Sequence, residues 1–241
     1  MTTTVVLLDL YQTLINIRTD EHRLKTWQPL ARFLGYRGPT ADPERLRDAF
    51  FAAAKKQRRA SSEPHPEVDL VAVWAGLLRE LDQPDPDERA VEVTQLFRAL
   101  SMLRLKPFPE VIPTLRRLRE RYQLGLVSNA QRCFLEHELE QCGLDELLDA
   151  VVVSSDHGII KPDPRLFHLA LEELGATPTQ AVYAGDSLDH DICGARAAGI
   201  RAIWLDRKAT GLPTDAPCQP DAIIRRLDEL EAVLIGNHHE R

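Results

Sequence analysis

The chain has 241 residues, 44% hydrophobic and 28% charged, with a formal net charge of −7. That length can bury a sizeable core, as one large domain or as a core with an insertion, and the composition is that of an ordinary globular protein. The acidic balance disfavours non-specific binding to nucleic acid or anionic membrane. No apolar run approaches the ~18 residues that a membrane span needs. No basic leader precedes the first apolar stretch, so a cytoplasmic protein is expected. Cys133, Cys142, Cys193 and Cys218 show neither a CxxC pair nor zinc spacing and are expected as reduced thiols.

Val5-Val6-Leu7-Leu8 predicts a strand over 4–9 that is buried on both faces, as the centre of a parallel sheet requires, and it stops at Asp9. Residues 10–18 read as a loop. From about Asp20 to Arg104 the periodicity is helical throughout. A first helix is expected over Glu21–Leu34, with Leu24, Trp27, Leu30, Ala31 and Leu34 on one face and Gly35 and Gly38 as stop signals. A second opens at Asp42-Pro43 and ends in Lys55-Lys56-Gln57-Arg58-Arg59, where basic residues suit the helix dipole. Two more are expected over 67–81 and 86–103. Trp27, Trp74 and the Phe50-Phe51 pair read as the core of this helical unit.

From Lys106-Pro107 onward helix and strand alternate. Helices are expected over 110–122, 131–142, 164–174 and 189–198, and strands over 123–128, 150–154, 181–184 and 201–205. A short run, 221–224, precedes a last helix. Such alternation predicts an α/β fold, a doubly wound parallel sheet with helices on both faces. The tail, 236–241, is expected to fray, and His238-His239 is too close to the end to read as a metal site.

Four strand ends carry chemistry. Asp9 sits where α/β folds collect their ligands and can serve as nucleophile or metal ligand, or can simply cap the following turn. Ser128-Asn129 delivers a hydroxyl and an amide to the same edge, able to hold the oxygens of an anion or to cap a helix. Lys161, just before Pro162 and a proline-started helix, can supply a fixed positive charge beside carboxylates. Gly185-Asp186 and Asp191 can bring two more acids next to Asp9, and close carboxylates need a cation to offset their repulsion.

In this order the stretches resemble the four signatures of the haloacid dehalogenase superfamily, which holds mostly phosphatases: Asp9-x-x-x-Thr13, Ser128-Asn129, Lys161-Pro162 and Gly185-Asp186-x-x-x-x-Asp191. The resemblance covers residues 4–18 and about 106–235. It implies a Rossmann-like core over 1–18 and 105–241 and a small α-helical cap over 19–104, inserted after the first motif. It also implies an aspartyl nucleophile at Asp9, phosphoryl-oxygen ligands at Thr13 and Ser128, and charge neutralisation by Lys161. Mg²⁺ would be bound by Asp9, Asp186 and the backbone carbonyl of Tyr11, supported by Asp191. The implied substrate is a small phosphorylated metabolite; oligomeric state stays open.

One position departs from that pattern. Phosphatases of the superfamily usually carry a second Asp two residues after the nucleophile, to protonate the leaving alcohol, and this chain has Tyr11, followed by Gln12. Tyr there resembles the 2-haloacid dehalogenase branch, in which Asp attacks carbon, halide leaves without a proton and no metal is used. The acids at Asp186 and Asp191 favour Mg²⁺-dependent phosphate chemistry instead, because two carboxylates without a cation would weaken Asp9. A good leaving group, another acid, slow turnover or a mainly ligand-binding role would each account for Tyr11. His65, in the proline-stiffened loop 61–69 with Glu63, Glu67 and Asp69, is a candidate replacement acid and substrate contact, or part of a solvated turn. Asn129 and Tyr11 are further substrate-binding candidates, as are Arg18, Asp20 and Arg58-Arg59.

Overall fold

The computed structural model describes residues 3–236; the end of the tail, with His238-His239, lies outside the described residues. Strand β1 (Val5–Leu8) is fully buried, as four consecutive apolar residues demand. The expected loop over 10–18 is only partly a loop. Strand β2 (Ile15–Thr19) follows and pairs antiparallel with β3 (Met102–Pro107), whose first residues replace the end of the helix expected over 86–103. Both strands are short and half-exposed, and the alternation in Ile15-Asn16-Ile17-Arg18 and Leu103-Arg104-Leu105-Lys106 is too brief to stand out beside the neighbouring loop and helix signals.

This ribbon carries the chain into and out of four helices: α1 (Leu24–Leu34), α2 (Pro43–Ala60), α3 (Leu70–Glu80) and α4 (Pro86–Ser101). The carboxylates of Asp42 and Asp69 cap α2 and α3, accepting from the N–H groups of Arg45 and Ala72 at 2.9 Å each. The four helices close on an apolar cluster of their own. The rings of Trp27, Phe50, Trp74 and Phe97 lie 4.8 to 6.0 Å apart, centroid to centroid. Phe51, expected beside them, is only half-buried and stacks on His22 at 4.3 Å.

The remaining chain alternates as expected: α5 (Val111–Arg119), β4 (Gln123–Ser128), α6 (Arg132–Cys142), β5 (Ala150–Val153), the single turn α7 (Ser154–His157), α8 (Pro164–Glu173), β6 (Ala181–Gly185), α9 (Cys193–Ala197), β7 (Arg201–Leu205), β8 (Ala222–Ile224) and α10 (Leu230–Gly236). Six parallel strands form one sheet in the order β5-β4-β1-β6-β7-β8. Alternate residues of each strand face opposite layers. Val6, Leu8 and Leu126 pack with Leu115, Leu135 and Leu230, while Val5, Leu7 and Val127 pack with Phe167, Ala170 and Ala195. The chain steps outward from β1 through β4 to β5, then returns to the other side of β1 for β6 to β8. That reversal opens a crevice at the carboxyl ends of β1, β4 and β6.

The helix expected over 189–198 begins as one wide turn, Leu188–Ile192, in which Ile192 N–H reaches the carbonyl of Ser187 at 3.1 Å, five residues back. Such wide turns concentrate at functional sites. Two cysteines also differ from expectation. Cys193 and Cys218 form a disulfide that ties the segment after β7 to the start of α9, whereas Cys133 and Cys142 are free thiols. The parallel crossover brings together two residues 25 apart in sequence, a pairing that no local spacing announces.

Candidate active site

Asp9, Ser128, Lys161, Asp186 and Asp191 converge in that crevice because each follows or adjoins the end of a buried strand. The Lys161 ammonium lies at the centre, fully enclosed. Its Nζ is 2.7 Å from Asp9 Oδ1, 2.6 Å from Asp191 Oδ1, 2.9 Å from the Val127 carbonyl and 2.9 Å from the Tyr183 hydroxyl. Tyr183 in turn donates to Asp191 Oδ1 at 2.8 Å, and the N–H of Ser187 donates to Asp191 Oδ2 at 2.9 Å. Asp191 is held so closely that a Cβ on Gly185 would stand 2.4 Å from its carboxyl carbon. Only glycine fits there.

One carboxylate oxygen from each of Asp9, Asp186 and Asp191 lies within 4.8 Å of the other two. Burial pushes Asp9 up to about 6; Lys161 opposes this and Asp191 adds to it. Burial, then Asp9 and Asp191, push Asp186 up to about 7. For Lys161 the sign is the reverse of what burial alone gives, because Asp191 and Asp9 outweigh desolvation and hold its proton more firmly. The hydroxyls of Thr13 and Ser128 are buried without a hydrogen-bond partner among the described residues. Buried hydroxyls are normally satisfied, so two orphans at one strand edge mark a place where a ligand's oxygens belong.

Asn129, expected as a substrate contact, gives its amide oxygen to the Lys161 N–H at 2.8 Å and so fixes the lysine loop. Tyr11 points away from acid duty. Its hydroxyl donates to Glu138 Oε2 at 2.7 Å, and Glu138 is gripped by Arg98, whose Nε and Nη2 lie 2.6 and 3.1 Å from its two oxygens. Burial and Glu138, against Arg98, hold the Tyr11 hydroxyl well above the usual phenol range. Arg98 comes from α4 and Glu138 from α6, so the triad joins cap to core.

His65 is exposed, and it is its carbonyl that is engaged, accepting from the N–H of Ile160 at 2.8 Å. The same segment docks through Glu67 N–H to the Gly158 carbonyl at 3.0 Å, and Ser154 donates to the Glu67 carboxylate. Gln131 braces it from below, with its amide to the Val68 carbonyl at 2.9 Å and its oxygen to the Leu70 N–H at 3.1 Å. Of the basic candidates, Arg58 lines a cavity between cap and core, whereas Arg18 pairs across the ribbon with Arg104.

Several site residues have no motif to announce them. Arg207 reaches the carbonyls of Thr13 at 2.6 Å and Gln12 at 3.2 Å, and pairs with Glu110 at 2.6 Å, fixing the loop after Asp9. Glu138 left a faint trace: it falls on the apolar face Phe134, Leu135, Leu139, Cys142 of its helix, where a carboxylate needs a partner. Tyr183 is similar, a hydroxyl inside an otherwise apolar buried strand.

The family model for a haloacid dehalogenase-like hydrolase matches residues 3–199. A phosphoserine phosphatase of Thermus thermophilus is 35% identical over 174 residues, 68% of each chain. Among solved structures, a 2-haloacid dehalogenase from Pseudomonas syringae pv. Tomato DC3000 superposes with a TM-score of 0.73 at 26% identity, covering 98% of this chain and 99% of that one. A phosphatase of the same superfamily from Thermococcus onnurineus gives 0.64 at 27% identity, covering 96% and 98%. With the four signatures converging on one crevice, the chain belongs to the haloacid dehalogenase-like hydrolases.

Proposed function

We propose that this hydrolase is a Mg²⁺-dependent phosphatase that acts on a small phosphorylated metabolite by transferring its phosphoryl group to Asp9. The observation carrying this is the cluster of Asp9, Asp186 and Asp191 closed around one buried lysine. The cluster fits a hard divalent cation. One ammonium, in contact with Asp9 and Asp191, stands against three carboxylates, and burial with mutual repulsion raises Asp9 and Asp186 to about 6 and 7. Asp9, Asp186 and the Tyr11 carbonyl would hold the ion, with Asp191 beside them, and it would offset charge on the transferred oxygens.

The rest is done by side chains. Asp9 attacks phosphorus in line, its carboxylate oriented by Lys161 at 2.7 Å. Lys161 remains protonated throughout, because Asp191 and Tyr183 hold it from the other side. The hydroxyls of Thr13 and Ser128 donate to the oxygens of the transferred group, which supplies the partners they lack. Attack by water on the aspartyl phosphate restores Asp9.

Tyr11 favours a second chemistry: attack of Asp9 on the carbon of a 2-haloacid, where the departing halide needs no acid. The acids at Asp186 and Asp191 weigh against it. Turnover of p-nitrophenyl phosphate and a panel of phosphorylated metabolites, with Mg²⁺ or EDTA and with Asp9→Asn as control, separates the two. Mg²⁺-dependent turnover lost in Asp9→Asn is expected. Chloride release from 2-chloropropionate that ignores EDTA would replace the phosphatase with a dehalogenase. A cytoplasmic setting belongs to the same proposal, and the Cys193–Cys218 bridge counts against it, since cytosolic thiols are kept reduced. Thiol titration of protein quenched directly from cells tests that point.

A further inference from the structure

Resting on that phosphatase proposal, we propose that the substrate is an aryl phosphate, its phosphoryl group at Asp9 and its aromatic body in the cavity between the cap helices and the core. Two independent observations meet here, one on the leaving group's acidity and one on its shape.

The first is that the position two residues after Asp9, which in phosphatases of the superfamily usually supplies an acid to the departing oxygen, holds no carboxylic acid. Tyr11 replaces the carboxylic acid, and its only proton is given to Glu138, which Arg98 keeps in place. When the Asp9 oxygen forms its bond to phosphorus, the ester P–O bond breaks and its electron pair stays on the departing oxygen. That oxygen must survive as an anion until water protonates it. A phenoxide can, since phenols titrate near ~10. An alkoxide cannot, its acidity being close to that of water, ~15.7.

The second is the cavity itself. It measures about 410 Å³, within the ordinary range for small-molecule sites. Its walls are the rings of Phe50, Phe51 and Phe97 from the cap and Phe134 from the core, with Val68 and Leu70 between them. It ends at Arg98, whose guanidinium lies 4.6 Å from the centre of the Phe134 ring and 5.3 Å from that of Tyr11, two residues from the nucleophile. Lys55 and Arg58 stand at the exposed end. Glu21 and Ser101 also line the cavity, but most of its wall is apolar and ring-bearing, which favours an aromatic body over a polyhydroxylated sugar, most of whose hydroxyls would lie unpaired there. Phe51 is only half-buried at the rim of the cap core, with one face stacked on His22 at 4.3 Å, and the rest of its ring lines the cavity.

The test uses purified full-length protein with Mg²⁺ and four probes: acetyl phosphate, phenyl phosphate, 2-naphthyl phosphate and cyclohexyl phosphate. Acetyl phosphate needs neither acid nor aromatic walls, so its Mg²⁺-dependent turnover, lost in Asp9→Asn, checks the phosphatase proposal alone. Failure there overturns that proposal and, with it, this one. Given that turnover, kcat/KM for phenyl phosphate should exceed that for cyclohexyl phosphate, a ring of similar size, by at least ~100-fold, the usual contribution of a general acid. The ratio of 2-naphthyl to acetyl phosphate should fall about tenfold in Phe51→Ala. Equal turnover of phenyl and cyclohexyl phosphates, or an unchanged ratio in Phe51→Ala, overturns the aryl assignment while leaving the phosphatase intact.

Discussion

Replacing Asp186 by Asn should make the metal-free protein more stable, although it removes a residue of the active site. Asp186 is partly buried beside Asp9 and Asp191, which together with desolvation raise it from its ordinary 3.8 to about 7. A carboxyl raised above its unfolded value keeps its proton longer in the native state, so native stability declines as pH rises between about 4 and 7 and stays depressed above that window. At ~1.4 kcal/mol per pH unit that interval corresponds to ~4 kcal/mol, or ~2 kcal/mol after solvent screening at a partly exposed group is allowed for. Urea denaturation in EDTA at pH 8 should therefore place Asp186→Asn ~2 kcal/mol above the parent, and the gap should shrink to about half at pH 5.5. Added Mg²⁺ should raise the parent's midpoint and leave the variant's nearly unchanged. A variant no more stable than the parent at pH 8, or a gap independent of pH, would refute the electrostatic account of the cluster.

Lys161→Met leaves two buried carboxylates without their cation and should cost ~3–5 kcal/mol in denaturation at pH 7, besides abolishing turnover. In Gly185→Ala the new methyl group meets the Asp191 carboxyl; a loss of ~1–3 kcal/mol and a weaker Mg²⁺ titration by calorimetry are expected. Trp27 is fully buried among Phe50, Trp74 and Phe97, so Trp27→Ala should lower stability by ~3–5 kcal/mol by urea denaturation.

Much of this molecule is legible in its sequence because its strands are continuous apolar runs that end in chemistry. Val5–Leu8 can only be a central strand, and Asp9 is where it stops. The ribbon β2/β3 is harder to read, since its alternation, Ile15-Asn16-Ile17-Arg18 and Leu103-Arg104-Leu105-Lys106, is too short to stand out from the loop and helix signals beside it. Tyr11 shows as a missing acid but not as a residue locked in place. Its partner Glu138 is 127 positions away, and the Arg98 that holds Glu138 is 40 positions from it. Such contacts are made by packing a cap on a core, which no spacing rule encodes. For His65 the sequence offers a ring chemistry, and what packing adds is a backbone bond, its carbonyl accepting from Ile160 while the side chain stays exposed. The Cys193–Cys218 bridge likewise depends on a crossover and leaves no local signature.

The segment His65–Val68 has a mechanical consequence. A lid fastened along one edge swings like a door, but besides the β2/β3 ribbon and the side-chain ties of Arg98 and Gln131 this one has a second backbone fastening, the bonds of Glu67 to Gly158 and of Ile160 to His65. With both fastenings closed it can only breathe, and the aromatic chamber beneath it exchanges its contents through whatever gap breathing allows. Full opening requires the second fastening to unlatch. The amide protons of Glu67 and Ile160 are therefore the gauge of that event, since each exchanges with solvent only when its bond is broken, and the opening equilibrium their exchange reports sets an upper bound on the fraction of time the lid is lifted.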